Sequence, residues 1–247
     1  MISQYVPRAV VFDLDGTLVD SAPDIAVALN MALCQAGHAA LPLDLVTSFV
    51  GGGARLLIAR SMLACGETAD DARIDAIYAG FLAAYEREPV RLTTLYPGAR
   101  DVVERLKSNG VQLGICTNKP TALTSAVLEQ LALTPFFGSV VAADGHLPLK
   151  PAPDMLRKGL QELNVTAEQA VMVGDSSADV GVAKAAGVRS IIVEHGYSHD
   201  PVRDLGADVV ISGFDELLTC LDQFERVPRR NLVGWVRPIG RNPTLCE

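Results

Sequence analysis

The chain has 247 residues, of which 49% are hydrophobic and 20% are charged. This size and composition are typical of a globular protein that buries one large core, or one core and a smaller one. The net charge of −8 disfavours a nucleic-acid groove or an anionic membrane surface as a partner. No stretch approaches the roughly 20 apolar residues of a membrane-spanning helix.

Compartment signals in the sequence favour the cytoplasm. Residues 1–8 lack the basic region and apolar core of a secretory signal. The cysteines are odd in number, scattered and without a C-x-x-C pair, as expected for free thiols in a reducing environment: Cys34, Cys65, Cys116, Cys220 and Cys246.

Two acids follow the first apolar run of the chain. Val10–Phe12 predicts a buried strand, and Asp13 and Asp15 point to the same side if that strand simply continues. Carboxylates this close repel each other, and a hard cation such as Mg²⁺ removes that cost because it prefers oxygen ligands. With a metal bound, one acid is suited to attack an electrophile and the other to move a proton. An isolated D-x-D is more often a solvated turn, so the interpretation needs support from the rest of the chain.

Helical periodicity dominates the segment that follows, and we predict no strand between about residues 22 and 88. The expected helices cover residues 21–37, 43–49, 54–65 and 69–88. The sequence therefore predicts a helical module inserted after the first strand.

After Pro97-Gly98 the pattern changes to strands alternating with helices. The predicted strands are 111–116, 139–142, 170–173, 190–193 and 208–211, and the predicted helices are 99–108, 121–131, 153–163, 179–186 and 214–224. This alternation indicates an open, mostly parallel α/β sheet covered on both faces. Ligands of such sheets bind beyond the carboxyl ends of the strands.

The last segment, 226–247, differs in charge from the rest of the chain. It holds five arginines and one acid, whereas residues 1–225 carry 16 basic and 28 acidic residues. One interpretation is a solvated extension, because chain ends are usually loose. The other is that this basic tail lies on the acidic body or contacts a partner chain.

Chemically active residues follow the predicted strands in sequence order: Asp13 and Asp15, Thr117 and Asn118, Lys150, and Asp175 and Asp179. In a parallel sheet they converge on one edge. The acids can hold a cation, the lysine can neutralise phosphoryl oxygens, and the hydroxyl, the amide and backbone N–H groups can orient the group. The set predicts metal-assisted attack on a phosphate.

These motifs resemble the haloacid dehalogenase superfamily of phosphatases. The matching segments are D-x-D-G-T at 13–17, the strand-end Thr117, Lys150 and G-D-x-x-x-D at 174–179. The resemblance implies a Rossmann-like α/β core formed by residues 1–20 and 90–225, with an inserted helical cap at 21–89. It covers nearly all of the chain before the tail.

The resemblance also implies a role for each matching residue. Asp13 is expected to be the nucleophile that forms an aspartyl-phosphate, and Asp15 to protonate the leaving oxygen and then activate water. Mg²⁺ is expected on Asp13, the backbone carbonyl of Asp15 and Asp175, with Asp179 acting through water or through Lys150. The residues expected to bind the phosphate are Gly16, Thr117, Asn118 and Lys150.

Finer similarities concern T-N-K-P at 117–120, the segment 147–153 and G-Y-S at 196–198, which are similar to bacterial phosphoglycolate phosphatases. They imply 2-phosphoglycolate as the small-molecule phosphate ester. Two alternatives of the same superfamily stay open: a phosphatase for a sugar phosphate such as N-acetylmuramic acid 6-phosphate, and a sugar-phosphate mutase. A non-catalytic binding module is the alternative of a different class.

Two other chemistries of the superfamily fit the residues less well. Its dehalogenases lack the second acid of the first motif, so Asp15 argues against carbon–halogen cleavage. Its phosphonate-cleaving members use a cap lysine, and residues 22–88 contain no lysine. The sequence does not indicate an oligomeric state.

Substrate choice is expected to lie in the helical module, because the core recognises only the phosphate. Gly51-Gly52-Gly53 leads into a predicted helix and offers free N–H groups, and Arg55 stands at that helix start. We hypothesise that Gly52 and Gly53, or Arg55, hold the carboxylate of a small phospho-acid. The alternative is a flexible connection beside a solvated arginine.

Overall fold

The computed structural model describes residues 7–198, 200–223 and 235–236. Its strands are β1 (Ala9–Phe12), β2 (Val19–Asp20), β3 (Thr94–Leu95), β4 (Gln112–Pro120), β5 (Ser139–Ala143), β6 (Ala170–Gly174), β7 (Arg189–Val193), β8 (Val209–Ile211) and β9 (Trp235–Val236). Its α-helices are α1 (Ala22–Gln35), α2 (Leu43–Thr47), α3 (Ala54–Ala64), α4 (Asp71–Tyr85), α5 (Ala99–Ser108), α6 (Thr121–Gln130), α7 (Asp154–Glu162), α8 (Ser177–Ala186) and α9 (Phe214–Gln223).

The centre of the fold is a parallel sheet of six strands in the order β5-β4-β1-β6-β7-β8, with the short β9 added beside β8. β1 pairs with β4 on one side and with β6 on the other, in parallel register. The prediction of an open parallel α/β sheet is confirmed. Because every strand runs the same way, all the carboxyl ends lie along one edge.

Helices cover both faces of this sheet. Val10 and Phe12 belong to one apolar core, which includes residues of α5, α6 and α9. Ala9 and Val11 belong to the opposite core, which includes residues of α7 and α8. The uniformly apolar β1 is therefore explained by burial on both faces, and it fixes the start of the first acidic motif at the sheet edge.

Helices α1–α4 form a separate apolar cluster, whose largest buried side chains include Leu29, Ile58 and Tyr85. The chain enters and leaves this segment through β2 and β3, which pair antiparallel. Each strand has only two residues, too few to show a periodic pattern, and the sequence did not predict them. The buried Asp24 carboxylate also accepts hydrogen bonds from the Leu92 and Thr93 N–H groups, at distances of 2.7 to 3.0 Å, and so joins the two ends.

The fourth strand is longer than predicted, because β4 continues through Thr117–Pro120 instead of ending at Cys116. Threonine favours extended backbone, and the residue before a proline is pushed into it. The register with β5 shifts between Cys116 and Pro120, so this continuation is irregular.

Most of the basic tail, and with it both interpretations of its role, lies outside the described residues. Within it, Trp235 and Val236 pair in parallel with Val209 and Val210. No helix in the described ranges is both long enough and apolar enough to cross a membrane.

Candidate active site

Asp13 follows β1 directly and is held by its neighbours through one carboxylate oxygen. Its backbone N–H continues the strand ladder by donating to the Val173 carbonyl at 2.9 Å. Its Oδ1 accepts from the Leu14 N–H at 2.7 Å and lies 2.9 Å from the Lys150 ammonium. Oδ2 accepts no hydrogen bond from the described residues, so one oxygen is fixed and the other is free to react.

Three buried acids meet at this edge. Carboxylate oxygens of Asp13, Asp175 and Asp179 lie within 4.8 Å of one another. Asp175 Oδ1 accepts from the Thr17 hydroxyl at 2.9 Å, and its Oδ2 accepts from the Tyr197 N–H at 2.8 Å. Since a carboxylate has about four lone-pair sites, Asp175 can be held this way and still bind a cation.

Asp179 has its oxygens occupied. It is the third residue of α8, where a capping box pairs it with Ser176, whose hydroxyl and N–H donate to Asp179 Oδ2 at 2.6 and 3.0 Å. Asp179 Oδ1 accepts from the Lys150 ammonium at 2.7 Å. This fully buried acid therefore begins its helix and positions the lysine, an arrangement that agrees with an indirect role.

The electrostatics of the cluster call for a cation. Burial, with repulsion from Asp179, raises the pKa of Asp13 from 3.8 to about 6, although Lys150 opposes the shift. Burial and the two neighbouring acids raise the pKa of Asp175 well above its usual value. Burial disfavours the charged form of Lys150, yet the attraction of Asp13 and Asp179 raises its pKa. Three ionised acids and one lysine leave two negative charges in excess, which a divalent cation with oxygen ligands would match. The donor set therefore fits a metal site.

Two glycines make room for Asp175. A Cβ atom on Gly196 would lie 2.1 Å from the Asp175 Cβ, and one on Gly16 would lie 2.5 Å from Asp175 Oδ2. Gly16 also has a φ of +83°, and its N–H donates to the Val19 carbonyl at 2.9 Å. Gly16 was predicted to bind phosphate, but its N–H is already committed. Its visible contribution is the space that Asp175 needs.

The side-chain amide of Asn118, a residue predicted to bind phosphate, is fully used within the protein. Its Nδ2 donates to the Gly51 carbonyl at 3.0 Å and to the Lys150 carbonyl at 3.1 Å. Its Oδ1 accepts from the Lys150 N–H at 2.9 Å. Asn118 therefore fixes the lysine loop and attaches the glycine loop of the helical segment to the core.

Thr117 stands at the predicted place and keeps a free proton. Its hydroxyl oxygen accepts from the Lys119 N–H at 3.2 Å. No acceptor for the hydroxyl proton is found in the described part of the chain, so it can donate to a phosphoryl oxygen.

A half-open cleft lies between the sheet edge and the helical segment. Its floor holds Asp13, Asp15 and Thr117, and its apolar wall is formed by Ile25, Val50, Ala54, Leu57, Phe81 and Leu123. Mostly apolar clefts with a few convergent polar groups are typical of small-molecule sites.

Asp15 lies in this cleft within a network that joins the core to the helical segment. The Lys119 ammonium lies 2.9 Å from Asp15 Oδ1 and donates to the Tyr85 hydroxyl at 2.8 Å. The Ser21 hydroxyl also donates to Asp15 Oδ1, at 2.5 Å. The second acid of the motif is therefore fixed by Lys119 of the core and by Ser21, the residue between β2 and α1.

Comparison with known proteins assigns the family. The model of the haloacid dehalogenase-like hydrolases matches residues 7–187. This chain belongs to the haloacid dehalogenase-like hydrolases. The phosphoglycolate phosphatase of Rhodospirillum rubrum is 44% identical over 216 residues, which cover 86% of this chain and 90% of the relative. That of Cereibacter sphaeroides is 41% identical, over 84% and 94% of the two chains.

A solved structure supports the same assignment. The crystal structure of a predicted phosphoglycolate phosphatase from Haemophilus somnus 129PT has a TM-score of 0.82 and 26% identity, and the match covers 89% of this hydrolase and 99% of that chain. The sequence-based identification of the superfamily is confirmed.

The structure of this hydrolase gives no support to Arg55 as a carboxylate ligand. Its guanidinium is half exposed, pairs with Asp75, and lies 3.3 Å from Asp71. Arg55 does not line the cleft, whereas Gly51 and Gly53 do. Gly52 is not among the lining residues, and a Cβ atom there would meet the side chain of Leu56.

Two residues lie within the quoted sequence motifs without an assigned function, and the structure shows that both hold parts of the site. Lys119 is one: it is buried near the end of β4, and its position two residues after the strand-end Thr117 was the available signal. Tyr197 is the other: its N–H holds Asp175, and its hydroxyl donates to Asp20 and accepts from the Ser21 and Ala22 N–H groups. No local pattern could show that one tyrosine joins an acid of the cluster to the start of α1.

Proposed function

We propose that this hydrolase is a Mg²⁺-dependent phosphatase that converts 2-phosphoglycolate to glycolate and phosphate. The observation that carries the proposal is the buried cluster of Asp13, Asp175, Asp179 and Lys150 in a chain 44% identical to a phosphoglycolate phosphatase. The identity of the substrate is inferred from the relatives, and the reaction mechanism is inferred from the cluster.

The metal would be held by Asp13, Asp175 and the backbone carbonyl of Asp15. That carbonyl accepts no backbone hydrogen bond within the described chain. The neighbouring groups do: the Leu14 carbonyl accepts from the Val19 N–H, and the Gly16 N–H donates to the Val19 carbonyl. Bound there, Mg²⁺ would neutralise charge on the phosphoryl oxygens.

The residues of the chain account for the bond changes. The free Oδ2 of Asp13 attacks phosphorus, and the bond between phosphorus and the glycolate oxygen breaks. Asp15 gives a proton to that oxygen and then takes one from the water that hydrolyses the aspartyl-phosphate. Lys150 and the Thr117 hydroxyl bind the phosphoryl oxygens as charge spreads over them.

The helical segment, residues 21–89, acts in this proposal as a cap that excludes water. Its apolar residues form one wall of the cleft, and it contacts the core at the Asn118–Gly51 hydrogen bond. Closure of such segments commits the substrate and completes the site.

We also place the protein in a reducing compartment, the cytoplasm. Cys34, Cys65 and Cys116 form no disulfide with another described residue. Burial raises the pKa of Cys116 to about 12, which keeps this thiol protonated and unreactive.

A phosphate-release assay tests the proposed function. Protein stripped with EDTA is supplied with Mg²⁺ and either 2-phosphoglycolate, N-acetylmuramic acid 6-phosphate, or a sugar monophosphate with and without its bisphosphate. We expect 2-phosphoglycolate to have the highest kcat/KM, and activity to require Mg²⁺. A higher kcat/KM for the sugar phosphate, or isomerisation that depends on the bisphosphate, would replace this function by one of the two alternatives.

A further inference from the structure

Lys119 is the only basic residue among the described residues that line the cleft. Its side chain is 2% exposed, so its charge must be balanced inside the protein. Asp15 supplies one partner, with its two oxygens at 2.9 and 3.2 Å, and the Tyr85 hydroxyl supplies another at 2.8 Å.

The hydrogen-bond inventory of this pair is incomplete. An ammonium has three N–H donors, and those of Lys119 are directed at Asp15 Oδ1, Asp15 Oδ2 and the Tyr85 oxygen. The Tyr85 oxygen accepts from Lys119, and its own proton has no acceptor in the described part of the chain. Burial raises the pKa of Tyr85 to about 12, so this buried hydroxyl keeps its proton. The O–H of Tyr85 is therefore available at the cleft, beside an ammonium whose longest contact, 3.2 Å to Asp15 Oδ2, can be exchanged for a substrate oxygen.

The position of the pair matches the shape of the ester. In 2-phosphoglycolate a single methylene carbon separates the bridging oxygen from the carboxylate, so the two groups are about 3 Å apart. Asp15 is the residue that protonates the bridging oxygen in the proposed mechanism, and the Lys119 ammonium donates a hydrogen bond directly to Asp15. A substrate whose bridging oxygen contacts Asp15 therefore brings its carboxylate within reach of Lys119.

The surroundings favour an ion pair at this point. The apolar wall of the cleft lowers the local dielectric constant, which strengthens attraction between Lys119 and an anion. Arg55, the other cation considered for this role, is paired with acids outside the cleft.

We propose that Lys119 and Tyr85 together bind the carboxylate of the substrate and so select phosphate esters that carry an acid one carbon from the ester oxygen. The inference rests on the proposed function and goes beyond it by assigning specificity to one residue of the core and one of the helical segment. The carboxylate of the substrate would then be bound only when the helical segment is in contact with the α/β core.

The test compares two esters that differ at this group alone, 2-phosphoglycolate and 2-hydroxyethyl phosphate. The measured quantity is the ratio of their kcat/KM values in the wild type, Lys119→Met and Tyr85→Phe. We expect Lys119→Met to reduce the ratio at least about 100-fold, because a buried charged partner is lost. Tyr85→Phe, which removes one neutral donor, should reduce it about 10-fold. A purely structural role would lower activity toward both esters and leave the ratio unchanged.

Arg55→Gln is the matched control, because it removes a cation that does not line the cleft, and its ratio should equal that of the wild type. A fall in the ratio of this variant alone would move carboxylate recognition to Arg55 and overturn the inference. If Lys119→Met does not fold, Tyr85→Phe decides by itself. Hydrolysis of 2-phosphoglycolate by the wild type with an unchanged ratio in the variants would refute the inference alone. No hydrolysis by the wild type would refute the proposed function, and the inference with it.

Discussion

Replacement of Asp13 by asparagine should abolish turnover and, at the same time, stabilise the metal-free protein. Oδ1 of this residue faces the Leu14 N–H and the Lys150 ammonium, both donors, so the amide oxygen of the variant must take that position. The amide nitrogen then replaces Oδ2, and no nucleophilic oxygen remains. We expect kcat to fall by at least about 10⁴-fold, as for other enzymes that lose their nucleophile.

The stability gain follows from the pKa of Asp13, which burial raises from 3.8 to about 6 in the folded protein without metal. The ionised form is therefore disfavoured in the folded state, and wild-type stability is lost as the pH rises from 3.8 through 6. A difference of about two pKa units corresponds to about 3 kcal/mol above roughly pH 7. For a chain of this size that is a rise in Tm of about 6–12 °C for Asp13→Asn. Below pH 3.8 the wild-type side chain is neutral in both states, and the difference should vanish.

Thermal unfolding in EDTA at about pH 7.5 and about pH 4 measures this effect, and phosphate release with Mg²⁺ measures the loss of activity. Asp44→Asn is the control, because it removes the same charge from an exposed position in α2 and should change stability by less than about 0.5 kcal/mol. Addition of Mg²⁺ should raise the Tm of the wild type more than that of Asp13→Asn, since the variant lacks one anionic ligand.

Either of two results would refute this reasoning. A lower Tm for Asp13→Asn than for the wild type in EDTA at about pH 7.5 would show that the ion pair with Lys150 outweighs the cost of burying the charge. Retained turnover would show that Asp13 is not the nucleophile.

Three further changes test the framework around the acids. Gly196→Ala places a Cβ atom 2.1 Å from the Asp175 Cβ, so we expect at least about 10-fold weaker activation by Mg²⁺ and an unfolding free energy lower by about 1–3 kcal/mol, measured by thermal melts. An unchanged dependence of activity on the Mg²⁺ concentration would contradict this. Tyr197→Phe leaves two N–H groups at the start of α1 without their acceptor and should cost about 1–3 kcal/mol of unfolding free energy, measured by urea denaturation. Asp24→Ala removes the acceptor for the Leu92 and Thr93 N–H groups and should speed amide exchange at those two positions by about 10-fold or more. Equal exchange rates in the variant and the wild type would show that Asp24 does not hold the two ends of the helical segment together.

The sequence alone determined the architecture and the position of the chemistry. The apolar run before Asp13 requires burial on both faces, and strands alternating with helices require a parallel sheet, so the acids at the strand ends had to share one edge. Lys150 and Asp175 could be placed there without coordinates, because topology fixes which ends of the strands converge.

Only the tertiary structure decided which atoms are free. Asn118 and Gly16 have the residue types of phosphate ligands, and the structure shows that the Asn118 side-chain amide donates to the Gly51 and Lys150 carbonyls and the Gly16 N–H to the Val19 carbonyl. Lys119 and Tyr85 are 34 positions apart, on a strand and on a helix of different layers, and their hydrogen bond depends on how those layers pack. Periodicity states which face a residue occupies, but a hydrogen bond depends on side-chain direction and on what lies opposite, and both are set by packing between elements that are distant in sequence.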